Sequence, residues 1–125
     1  MPTRSIRSLL APRSLASTLV CLALASVAWA HHGWSSYDAN KVMKFDAELA
    51  QVRYRNPHAE VEVDYGGKRW LVILAPIRRM ESRGLPSDAL EVGKTVTIEG
   101  YPRSDGTAEL RAERITVDGK TIELR

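Results

Sequence analysis

The chain has 125 residues, with eighteen Lys and Arg against fifteen Asp and Glu. The basic excess is confined to one end: residues 1 to 30 hold Arg4, Arg7 and Arg13 and no acid. The remainder is formally neutral and gives no electrostatic warrant for a nucleic-acid or anionic-membrane partner. The one cysteine, Cys21, lies in the same leading segment, so residues 31 to 125 form a small domain without disulfide or thiol chemistry, held by packing alone.

That leading segment reads as a cleavable signal peptide. A basic start is followed by an apolar run from Leu15 to Val27, too short for a bilayer span, which needs about 20 apolar residues. Ala28 and Ala30 supply the small-x-small pattern of a signal-peptidase site. The sequence therefore predicts cleavage after Ala30, a periplasmic location and no stable membrane anchor. An uncleaved anchor is the competing reading, but no stop-transfer pattern follows. Cys21 lacks the small residues before it that lipoprotein processing requires.

The mature chain then begins His31-His32-Gly33-Trp34. Residues 31–43 read as a lead-in rich in turn formers, and residues 44–125 as a β domain. Phe45, Ala47 and Leu49 alternate with Asp46 and Glu48, then Val52 and Tyr54 continue on the other parity. A first strand with a bulge near Ala50-Gln51 is expected. After an Asn56-Pro57 turn, Ala59, Val61, Val63 and Tyr65 alternate with acids, and Gly66-Gly67 marks a hairpin into Lys68 to Leu74. Pro76 opens a short helix that ends at Gly84-Leu85 in a left-handed cap, with Met80 in the core and Arg78, Arg79 and Arg83 on the outer face, where a solvated surface is preferred over an anion site. Thr95 to Tyr101 is a strand. Ala108, Leu110 and Ala112 form the next, which slips parity to Ile115 and Val117, and Asp118-Gly119 turns into a last short strand, Thr121 to Leu124. The order predicts a mainly β, five-stranded OB-like barrel with one short helix between the third and fourth strands; a β-sandwich is the alternative.

The His31-His32-Gly33-Trp34 start, Arg55-Asn56-Pro57-His58, the helix with Arg79 and Arg83-Gly84-Leu85, and Gly100-Tyr101-Pro102 resemble a family of small exported bacterial proteins known as domain of unknown function 6152. The resemblance covers the whole mature chain. It implies a periplasmic setting and a small β-barrel, and lends no activity.

Chemistry singles out His31, His32 and His58, the three histidines of the chain. An N-terminal histidine offers its α-amine and its imidazole to one ion, and nitrogen donors of this kind suit Cu(II), with Ni(II) and Zn(II) behind it. His32 offers a competing mode through the intervening amide. His58 can complete the set if the lead-in runs back along the barrel. Trp34 and Tyr37 either cap such a site or pin the chain end to the core. No nucleophile elbow, phosphate loop or paired-histidine motif is present, so the expectation is a non-enzymatic binding module. Its partner is a copper ion at the mature N-terminus or, alternatively, a periplasmic protein or small ligand on a barrel face.

Overall fold

The computed structural model describes residues 33 to 125. The expected cleavage site, His31 and His32 lie outside the described residues. Six strands follow one another as β1 (Met43–Arg53), β2 (Glu60–Tyr65), β3 (Lys68–Ile73), β4 (Thr95–Pro102), β5 (Glu109–Val117) and β6 (Lys120–Glu123), with helix α1 (Ile77–Ser82) between β3 and β4. Their order is β3-β2-β1-β4-β5-β6, and a parallel pairing of β3 with β5 closes the first five into a barrel. Strand β6 extends that barrel along β5, below the point where β3 leaves it. Leu71, Val72 and Ile73 of β3 face Glu109, Leu110 and Arg111, whereas β6 pairs with Arg114 to Val117.

Alternation explains the walls. Phe45, Ala47 and Leu49, then Val61, Val63, Val72, Val96, Ile98, Leu110, Ala112, Ile115 and Ile122, are all buried inside, because successive side chains of a strand point to opposite faces. Two register shifts let short strands turn the corners of a small barrel. One falls between Leu49 and Gln51 of β1, and the other lies opposite Glu99 and Gly100 of β4. Both coincide with the parity slips in the sequence. The Gly66-Gly67 and Asp118-Gly119 turns have positive φ at both central residues, the geometry that matches the twist of antiparallel strands.

The lower mouth of the barrel is plugged. Met80 of α1 is fully buried. The helix stops as the sequence predicts: Gly84 takes φ 85°, its N–H donates to the Glu81 carbonyl, and Leu85 N–H reaches back to Met80 O at 2.9 Å, burying the Leu85 side chain. The Tyr54 hydroxyl donates to Leu85 O at 2.7 Å and ties this cap to the end of β1. The upper mouth has no such plug among the described residues. There Tyr65 stacks on Phe45 with ring centroids 4.0 Å apart and remains partly exposed.

Candidate functional site

Two surfaces gather chemistry, one on the outer wall at the β3/β5 seam and one at the upper mouth. The seam holds His58. This residue precedes β2, and its neighbour Ala59 is locked by two backbone bonds, Ala59 N–H to Ala75 O and Leu74 N–H to Ala59 O, both 2.8 Å. His58 is therefore fixed beside the exit of β3. Arg111 stands opposite Ile73 on β5 with its side chain on the outer wall, since Leu110 and Ala112 on either side point inward. From the C-terminal tail Arg125 donates to Ile73 O at 3.5 Å and to Leu124 O at 3.2 Å. Arg79 of α1 donates to the same Leu124 carbonyl at 3.1 Å.

The electrostatics follow from this crowding. Burial, reinforced by Arg111, Arg125 and Arg79, holds the His58 imidazole below its ordinary pKa. Arg125 is pushed down to about 10, by burial first and then by Arg111, while burial and Arg79 also lower Arg111. Two acids lie within this field. Glu113 faces Arg111 and Arg125, but Glu60 is held by Arg53 at 3.0 Å. His58 is thus a neutral ring in a positive neighbourhood.

Tyr37 connects the lead-in to the same wall. Its backbone bridges Arg103, its hydroxyl donates to Glu109 at 2.5 Å, and Asp38 N–H donates to Pro102 O at 2.8 Å. Burial, and then Glu109, push the phenol up to about 12. Tyr37 therefore pins the lead-in to β5. Trp34 falls in a one-turn 3-10 helix, Trp34–Ser36. Among the described residues no group of three or more His, Cys, Asp or Glu side chains converges as a metal cage would require.

Two features differ from the sequence reading. Arg79 and Arg83 are more than a solvated helix face: Arg79 bonds Leu124 O, and Arg83 donates to the backbone oxygens of Glu123 and Arg125. The helix spends them holding the C-terminal strand. The acids of β2 are likewise paired, Glu60 and Glu62 with Arg53, and Asp64 with Arg69 at 2.6 Å.

The upper mouth opens into a groove of about 580 Å³ between the lead-in, the start of β3 and the β4–β5 loop. Val42, Met43, Trp70 and Pro102 form its apolar lining, and Lys41, Lys68 and Arg103 its charged rim. Val42 is 61% exposed, unusual for a large aliphatic side chain. The Trp70 indole is oriented by its N–H bond to Tyr65 O at 3.2 Å. Arg103 is engaged by Asp105 and Glu109. Lys41 and Lys68 are exposed, and neither joins an ion pair among the described residues. Sequence reasoning missed this groove because its residues come from three distant segments.

The profile of a family of unknown function, DUF6152, matches residues 18–111. The chain belongs to this family. No curated protein matches. Among solved structures, a chain of the S. pombe Stn1-Ten1 complex is similar at 18% identity, with a TM-score of 0.49, over 61% of this chain and 57% of that one. The match thus spans little more than half of that solved chain.

Proposed function

We propose that this family member is an exported, non-enzymatic binding module whose ligand site is the upper-mouth groove, and that it takes amphipathic anions: an apolar body ending in one carboxylate, sulfonate or phosphate. The observation that carries this reading is the asymmetry of the two mouths. Met80 and Leu85 fill the lower one, while the upper one leaves Val42 exposed and Trp70 half-buried, beside two lysines that join no ion pair among the described residues. The groove falls within the range of small-ligand sites, roughly 300 to 1,000 Å³, and its mixture of apolar floor and few charged groups is typical of them. None of the residues that line it is acidic. The signal-like leader supports export.

The test is a Trp-fluorescence titration with three ten-carbon probes: decanoate, decanol and decyltrimethylammonium. The reading predicts decanoate to bind best and the cation least. Val42→Glu, at an exposed position, abolishes decanoate binding, and Lys41→Ala with Lys68→Ala weakens it roughly three- to tenfold, the scale of two exposed charge contacts. Equal binding of all three probes, or none, refutes it.

A second reading concerns metal. The His31 amine and imidazole, with His32, form a nitrogen chelate suited to Cu(II), and burial keeps His58 in the neutral state that ligates. The arginines around His58 oppose a dication, so this reading takes its simplest form as an amine-based chelate without His58. Cu(II) titration of the processed protein, beside a version with one residue added before His31, tests it: binding lost on extension supports the chelate, and equal or negligible binding in both removes it.

A further inference from the structure

Strand β3 enters the upper mouth before it has a second neighbour. Its parallel pairing with β5 begins at Leu71, opposite Glu109, and Leu71 N–H donates to Ala108 O at 3.0 Å. Lys68, Arg69 and Trp70 pair with β2 alone, through Tyr65, Asp64 and Val63. Main-chain groups of a strand alternate between its two edges, so Arg69, two residues before Leu71, turns its N–H and C=O the same way, toward β5. No strand meets them there among the described residues, and Arg69 is exposed. The Arg69 side chain is directed elsewhere and donates to the Asp64 carboxylate at 2.6 and 2.9 Å.

The mouth groove lies along this open edge. Lys68 and Trp70, on either side of Arg69, line it together with Gly106 and Thr107 of the β4–β5 loop. Gly106 leaves open space where a Cβ would stand. A fatty chain covers Val42, Met43, Trp70 and Pro102 but leaves Arg69 N–H and C=O to water. An extended peptide covers the same apolar lining with a side chain and pairs with the edge through its own main chain. The charged rim decides which part of a peptide fits. Arg103 is engaged by Asp105 and Glu109, Lys41 and Lys68 offer their ammonium groups, and none of the lining residues is acidic. The complementary group is a C-terminal carboxylate, which an internal peptide segment lacks. The edge is short, because Leu71 is already taken by Ala108, so only the final residues of the ligand can pair. Lys68 opens β3, so a peptide that ends there runs antiparallel to the strand.

We propose, building on the mouth as the ligand site, that its ligand is an unstructured polypeptide C-terminus ending in an apolar residue. The terminus adds as a short antiparallel strand to the β3 edge at Arg69, sets its carboxylate on Lys41 and Lys68, and lays its last side chain against Val42 and Trp70.

The experiment is a Trp-fluorescence titration of the processed protein with decanoate and with the acetylated tripeptide alanyl-alanyl-leucine. The C-terminal amide of that tripeptide, and two analogues N-methylated at the last or the preceding peptide bond, are titrated beside it. The amide is expected to bind roughly three- to tenfold more weakly than the free acid. Strand alternation turns one of the two methylated positions toward β3 and the other away, so one analogue is expected to weaken by roughly the same factor and the other to bind as the parent peptide does. On the protein side, Arg69→Pro removes the outward N–H without removing a bond to β2, and Arg69→Ala removes the same side chain while keeping that N–H. The proline variant is expected to bind the tripeptide roughly three- to tenfold more weakly than the alanine variant and to bind decanoate equally well; if it does not fold, the methylated peptides decide alone. Decanoate binding without tripeptide binding, or equal binding of the parent peptide and both methylated analogues, overturns this inference and leaves the mouth reading standing. Binding of neither decanoate nor tripeptide overturns both.

Discussion

Replacing Gly100 by alanine tests the barrel where its walls come closest. A Cβ built at Gly100 lies 2.2 Å from the Arg111 carbonyl oxygen and 2.8 Å from Ala112 Cα. Ordinary contact begins at 3.4 Å, well beyond both distances, and both obstacles are backbone, held by the β4–β5 and β3–β5 ladders. No side-chain rotation relieves the clash, so β4 and β5 must separate at their bulge. Overpacking a well-ordered core costs about 1 to 3 kcal/mol, and a backbone obstacle puts this case near the upper end. The lower entropy of the unfolded alanine chain returns about 0.4 to 1 kcal/mol. A net loss of about 2 kcal/mol lowers the midpoint of a domain this size by roughly 8 to 16 °C. Circular dichroism melts of Gly100→Ala and of Gly33→Ala, where a Cβ meets nothing within 4 Å, provide the comparison. A Gly100→Ala midpoint within 2 °C of the parent, to an order of magnitude a few tenths of a kcal/mol, would refute the close-approach argument.

Met80→Ala removes the plug of the lower mouth and is expected to cost about 2 to 5 kcal/mol, read by urea unfolding; a loss below about 1 kcal/mol would mean that α1 does not close the barrel. Tyr37, pushed up to about 12, has a folded pKa above its unfolded value of 10.0. Its contribution is complete below pH 10 and disappears as pH rises toward 12, so spectrophotometric titration should find Tyr37 ionising last of the four tyrosines, after Tyr54, which burial also raises, and Tyr37→Phe should remove that last step. His58 carries the opposite sign. Its folded pKa is depressed, so its contribution is present above the unfolded value of 6.5 and is lost as pH falls below it. The Tm difference between parent and His58→Gln should therefore shrink on acidification toward pH 5, and a constant difference would contradict the assignment.

The barrel was legible because its strands obey local rules. The parity slips at Ala50-Gln51 and after Ala112 marked register shifts, and Gly66-Gly67, Asp118-Gly119 and Gly84-Leu85 named their turns and cap through backbone conformation alone. The seam was not legible. Arg111 sits at an ordinary wet-face position of β5, and only the parallel closure with β3 brings it to Ile73, His58 and Arg125. Arg79 and Arg83 read as solvated for the same reason, since the carbonyls that hold them lie some forty residues away in the tail. Trp70 shared the parity of Val72 and Leu74, which gave no sign that it lies at an open mouth rather than in the core. Pairings across a barrel are tertiary facts, and periodicity carries only which face a residue occupies.

The most direct test of the mouth as the ligand site is an amide chemical-shift map of the processed protein with decanoate. The account predicts that decanoate moves Lys41 to Met43, Lys68, Trp70 and Thr107 while leaving His58 and Arg111 in place. Decanoate shifts centred on the His58 seam, with the mouth unmoved, would contradict it.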